Sequence, residues 1–216
     1  MPDTNATRLV ASTYGVLVGL AGIEHGYFEL LQGDIATGGI VINAIGPAYQ
    51  MWPGASERAL TVLPTFLLTG FFAVLFGLLV TIWAAAFISR KYGASILFTL
   101  AIILFLVGGG FAPIFLTILG SATATRINKQ LTWWRTRPPE SIQGVLAKVW
   151  PWILIAFVVV FWSTVAMQIF GLGLDVATTT SLVTALSVIM IALMPLTVIS
   201  GLAYDSRNQA DSLHAL

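Results

Sequence analysis

Glu24, His25, Glu29 and Gln32 place four polar side chains, three of them ionisable, directly behind the largely apolar run Leu9 to Ile23. His25 and Glu29 are i, i+4 neighbours on a helix. Imidazole titrates near neutral pH and desolvation moves a carboxyl toward that range, so the pair suits proton relay. It also offers two metal donors. Ionisable groups within a membrane helix are costly unless paired or hydrated, and by default they mark a functional site. At about 100° per residue Glu29, His25 and Gln32 share one edge, while Glu24 points about 140° away from Glu29. One histidine and two carboxylates that do not share a face make an incomplete metal site, which only dimerisation could complete. No metal and no cofactor is therefore expected. Two readings stay open: proton or ion handling, and an interfacial anchor that caps the helix and ties down the residues after it.

Three other constellations carry information. Gly15, Gly19, Gly22 and Gly26 recur at spacings of four, three and four, which makes one groove within an arc of about 60°. Small-xxx-small pairs let another helix approach to backbone contact, inside the chain or across a homodimer. The second apolar segment has no closely repeated small residues, so Gly70→Leu is expected to be milder than Gly19→Leu or Gly22→Leu. Gly108-Gly109-Gly110-Phe111-Ala112-Pro113 breaks a later apolar segment and frees backbone groups that protein or water must satisfy. No strand, Lys or Ser/Thr pattern accompanies it, which excludes a nucleotide loop. Trp133, Trp134, Arg135 and Arg137 form a basic, aromatic stretch that suits anionic lipid head groups or a partner protein. Thr69, Ser163, Thr164 and Gln168 are expected to make helix–helix hydrogen bonds. No Ser/His/Asp arrangement, catalytic carboxylate pair or phosphate motif occurs, so no enzyme is expected.

The elements that position these groups follow from composition. Of 216 residues only 9% are charged and 57% are hydrophobic, with mean hydropathy +0.91; a soluble domain carries about 25% charge. Apolar runs of about the 20 residues needed to cross a bilayer recur. With no cysteine, disulfide exchange, Cys-ligated clusters and covalent haem are excluded. His25 and His214 are the two histidines, and a net charge of +1 argues against nucleic acid. The chain reads as one all-α integral membrane domain, a bundle of five hydrophobic helical segments. They cover about 7–31, 59–88 with Pro64 in its first turns, 94–123, 150–170 with Pro151 at its start, and 181–203, which Pro195 should kink or unwind. Residues 32–58 and 124–149 are interfacial connections, Trp52 anchoring the first at headgroup level, and 204–216 is a polar tail.

Orientation depends on the third segment, which is broken by Gly and Pro. If it crosses, Arg58, Arg126, Lys129, Arg135, Arg137, Lys148 and Arg207 oppose Arg8, Arg90 and Lys91, seven basic residues to three. If it re-enters on one side, both termini share a face and the balance becomes nine to one. Crossing is the expected topology, because re-entrant elements are rare; the charge balance favours re-entry.

The strings Gly-Ile-Glu-His-Gly…Leu-Gln-Gly at 22–33, Val-Gly-Gly-Gly-Phe-x-Pro at 107–113 and Leu-Thr-Trp-Trp-Arg at 131–135 resemble a group of small, uncharacterised prokaryotic multi-pass membrane proteins. The resemblance spans roughly 9–150. It implies an all-helical fold in a prokaryotic cell membrane and no assigned activity. The leading expectation is a membrane protein that handles a proton, ion or small solute at the polar end of its first helix. The alternative is a non-catalytic subunit that docks a larger membrane complex through the glycine groove and the Trp-Arg stretch.

Overall fold

The computed structural model describes residues 5–214; side chains are described except for Arg135 and 211–214. The fold is 74% helical and all-α, and four helices are long and apolar enough to cross a membrane. Helix α1, Ala6–Gln32, is central. It begins where Asn5 accepts a hydrogen bond from Arg8 N, and it ends at Gly33, whose φ of 76° no other residue type adopts easily. Helix α2 covers Phe66–Ile82 and continues as a π turn over Trp83–Phe87. Its start lies later than residue 59, because Pro64 disfavours helix at the residue before it. Thr65 then caps α2, and Arg58–Leu60 is a strand instead.

That strand, β2, pairs antiparallel with β1, Val41–Asn43, in the register Val41 with Leu60 and Asn43 with Arg58. The connection between α1 and α2 is thus a folded unit. Phe28, Ile45, Ala55 and Ile169 hold it against the bundle, and Trp52, half-buried, donates its indole N–H to Gln168 O at 2.8 Å. Trp52 therefore acts as an internal strut between the connection and α6.

The glycine groove is filled from within the chain. A Cβ at Gly19 would lie 2.5 Å from Gly77 O, one at Gly26 would lie 2.8 Å from Gly70 O, and Gly15 packs on Ala84. Gly22 instead faces Leu104 of helix α3, Gly93–Leu106. The expectation for Gly70 is corrected: a Cβ there would lie 2.6 Å from both Gly26 O and Leu30 N. Gly70, Gly77 and Ala84 recur every seven residues, about two helical turns, and so form one stripe on α2 that matches the groove.

The segment expected at 94–123 is two helices. α3 runs beside α1, with Leu97 at Gly15 and Leu104 at Gly22; helix α4, Pro113–Ala124, returns with Gly120 at Tyr14. Their outer ends therefore lie with the chain termini, and residues 107–112 form a tip level with His25. Gly108 and Gly110 take φ of 108° and 85° there, the left-handed region that glycine tolerates. The backbone groups freed by the break go to the connection: Gly108 N donates to Leu60 O, Val62 N to Leu106 O and Phe111 N to Arg58 O.

After the short helix α5, Thr132–Thr136, helix α6 runs Glu140–Phe170 and helix α7 runs Val176–His214. Both exceed their expected lengths. The Pro138-Pro139 pair starts α6 ten residues before Trp150, and Pro151 lies inside it. α7 continues as one helix through Pro195. Its supposed polar tail is a packed helical end. Asp205 accepts hydrogen bonds from Ala6 N and Thr7 N, both at 2.8 Å, and Tyr204 lies on Trp150. Two orphan amides at the α1 N-terminus are thereby satisfied by a carboxylate, which the helix dipole also favours.

Because a Cβ at Gly70 would meet the α1 main chain at both Gly26 and Leu30, Gly70→Ala should cost about 1–3 kcal/mol through overpacking. Gly39→Ala, where nothing lies within 4 Å of the new Cβ, should be neutral. Thermal melting of the two variants in detergent tests the pair; equal midpoints would mean the α1–α2 seam is not in contact.

Candidate functional site

The polar residues of α1 divide into three groups with different surroundings. His25 is buried, and its Nδ1 lies 3.0 Å from Ala21 O, 3.1 Å from Glu24 Oε2 and 3.3 Å from Glu57 Oε2. The lean of helical side chains toward the N-terminus carries the ring to the Ala21 carbonyl one turn back. Nε2 faces the tip, where a Cβ on Gly110 would lie 2.5 Å away. Glu24, expected to point away, reaches His25, because its long side chain bends back along the helix surface.

Glu57 is the residue the sequence reading passed over. It comes from the connection, immediately before β2, and is only 5% exposed. Its position is held by main chain: Glu57 N donates to Asn43 Oδ1 at 2.8 Å, and Ala44 N donates to Glu57 O at 2.7 Å. Burial pushes its carboxyl up to about 8, with the His25 charge opposing the rise. No local spacing links Glu57 to residues 24 and 25. The one signal was a glutamate beside Arg58 in a connection with few charges.

The expected His25–Glu29 pair does not form. Glu29 is fully buried, neither carboxylate oxygen has a hydrogen-bond partner, and both oxygens face Gly108, with Thr69 beside them. Gln32 has left the cluster altogether. Its Nε2 donates to Asn43 O and Ala44 O at 3.2 and 2.7 Å, so it performs the anchoring role that was one of the open readings. Gln168 also holds the connection, donating to Ser56 O at 2.7 Å. Gly108 and Gly110 lie over Glu29 and His25, Gly109 N donates to Leu104 O, and Pro113 opens α4.

A cavity of about 400 Å³ opens beside the cluster, with Glu24, His25, Glu57 and Arg58 on its polar wall and Phe161 and Met190 opposite. Among the described residues no Lys or Arg forms an ion pair with Glu24, Glu29 or Glu57; His25 is the one basic group within ion-pair distance of Glu24 and Glu57. Donor atoms of Glu24, His25 and Glu57 all lie within 4.8 Å of one another, which makes these three, among the described residues, a group that could hold a metal ion.

The Trp-Arg stretch lies at the other end of the bundle. Trp133 is exposed and packs edge-on against the half-buried Trp134 at 5.3 Å, while Arg137 is exposed. The Arg135 side chain lies outside the described residues. Arg126, Gln130 and both tryptophans border a second cavity of about 350 Å³, closed on its apolar side by Leu119 and Leu202.

Comparison with protein-family models, with curated proteins and with solved structures yields no match. Any reading of this site therefore rests on its own geometry.

Gln32→Ala removes two hydrogen bonds to the connection, worth about 0.5–1.5 kcal/mol each. Amide hydrogen exchange over residues 41–60 should accelerate while α1 stays protected. Unchanged exchange there would assign the placement of Glu57 to other contacts.

Proposed function

We propose that this chain is a multi-pass membrane protein that takes up and passes a small cation through the site formed by Glu24, His25 and Glu57. The observation that carries the reading is an excess of buried acid. Two carboxylates from two separate elements converge on one imidazole beside a cavity, with Glu29 sealed behind them and, among the described residues, no Lys or Arg pairing. Ionised carboxylates withdrawn from water are costly without a compensating positive charge. A mobile cation supplies that charge when present and leaves through the cavity.

Chain direction supports a topology to go with this. α1, α2, α6 and α7 span, and α3 with α4 re-enters; at about 1.5 Å per residue the two are only about 21 and 18 Å long, short of a 30 Å hydrocarbon core. Arg8, Arg90, Lys91, Arg126, Lys129, Arg135, Arg137, Lys148 and Arg207 then share the side of the termini, with Arg58 alone opposite. The positive-inside rule makes the first side cytoplasmic and turns the cation site outward, in a prokaryotic cell membrane. Trp133, Arg126 and Arg137 then meet the anionic head groups of the inner leaflet. The docking alternative is weakened, because α2 and α3 occupy the glycine groove that a homodimer or larger complex would use.

Two measurements test this. Single cysteines at Tyr92 and Ser141 should react with an impermeant thiol reagent from the same face, and one at Asp34 from the opposite face. Labelling of Tyr92 and Ser141 from opposite faces would restore five crossings. In liposomes under an imposed potential, flux of protons or of Mn²⁺ should exceed that of protein-free vesicles. Glu57→Gln should lower it by about tenfold or more, and Gln130→Ala should leave it unchanged. Flux equal to that of empty vesicles for both ions would remove the transport reading.

A further inference from the structure

We infer that Glu24, His25 and Glu57 form a binding site for a divalent transition-metal ion, of the zinc or manganese type, held at the outer end of α1. This names the cation of the proposed function and rests on that reading. The donor geometry is the first support. His25 Nδ1 lies 3.1 Å from Glu24 Oε2 and 3.3 Å from Glu57 Oε2. Donors bound at about 2.0–2.1 Å in a tetrahedral site are separated by about 3.3 Å, which the two His25 separations match, while the three donor atoms together lie within 4.8 Å of one another, so side-chain movement would bring all three onto one ion.

The second support is independent of spacing. Glu57 is 5% exposed, yet its Oε2 has no hydrogen-bond partner, and the inward Oε1 of Glu24 has none either. Buried polar atoms are satisfied as a rule, so two carboxylate oxygens left without a hydrogen bond beside an imidazole Nδ1 already shared between Ala21 O and Glu24 Oε2 point to a missing partner. Charge sets its valence: two carboxylates neutralise a divalent ion, and an uncharged assembly is the cheapest to hold away from water. Donor type sets its class. A nitrogen with two carboxylate oxygens and no thiolate suits Zn²⁺, Mn²⁺ or Fe²⁺ and excludes the sulfur-seeking Cu⁺.

Binding through Nδ1 would displace the proton that Nδ1 shares with Ala21 O and Glu24 Oε2 and leave the imidazole neutral, with a proton on Nε2, the edge that faces Gly110. The main-chain bonds of Glu57 to Asn43 and Ala44 fix that ligand from behind. The cavity leaves the remaining coordination positions to water, as an exchangeable site requires.

The test is calorimetric titration of EDTA-stripped, detergent-purified full chain with ZnCl₂ and with MnCl₂. One saturable ion per chain is expected for at least one of them. Glu24→Gln and Glu57→Gln should each weaken binding by about tenfold or more. Glu29→Gln, outside the donor set, should stay within about twofold. Melting curves without metal establish that each variant is folded, and if Glu57→Gln is not, Glu24→Gln decides. With Mn²⁺, electron spin-echo spectra of the unaltered chain should carry one imidazole nitrogen coupling, which His25→Gln removes. Absence of saturable binding, or affinity indifferent to both Glu24→Gln and Glu57→Gln, overturns the inference. If metal does not bind but proton flux persists, the metal alone is overturned and the cation reading stands. Metal bound at these residues without any flux supports the site and removes transport.

Discussion

The backbones of α1 and α2 touch at Gly26 with Gly70 and again at Gly19 with Gly77, and the other elements are arranged around that contact. In lipid there is no hydrophobic gain from burying one apolar helix against another, so close van der Waals packing and internal polar bonds must hold the bundle together. Glycine on both helices brings the axes near enough for that packing. It leaves Gly22 free to accept Leu104 of α3, and the α3–α4 pair then lies along α1 with its tip beside His25 and Glu29. A bulkier residue in the seam would displace the tip as well as the helix.

The two ends of the bundle solve opposite electrostatic problems. At the end holding the termini, the Asp205 carboxylate meets two free amides of α1, a charge placed where a helix terminus favours it. At the other end, Glu24 of α1 and Glu57 of the connection meet one histidine, Glu29 lies buried against Gly108, and several of the three glutamates' oxygens lack a hydrogen-bond partner. Stability alone does not account for that arrangement, since apolar residues of similar volume would be cheaper to bury. A surplus of acid retained at a cavity is what the proposed cation reading accounts for.

The connection between α1 and α2 makes this possible. Its two short strands would be marginal alone, but β2 gains further pairing from the tip through Leu60, Val62 and Arg58, while Gln32, Trp52 and Gln168 fasten the loop to α1 and α6. The same hydrogen bonds that satisfy the broken α3–α4 backbone therefore carry Glu57 to His25.

What could be read without coordinates was whatever depends on composition or on short spacing. Low charge and long apolar runs determined a membrane bundle, glycines four residues apart determined a close helix contact, and Gly108–Pro113 determined a break. Glu24 and His25 stood out because ionisable groups are rare in such helices. The partners of these features were another matter. The stripe on α2 repeats over two turns, too widely to draw notice; the polar tail became helix only because Asp205 and Tyr204 meet α1 and α6; and Glu57 joins His25 across a connection whose path is decided by hydrogen bonds between distant segments. Side-chain direction was also decided late, since Glu24 bends toward His25 and Glu29 turns to Gly108, overriding the ideal helical angles. Local periodicity constrains a helix and its faces, but a site made of residues 24, 25 and 57 exists only once the chain has folded back on itself.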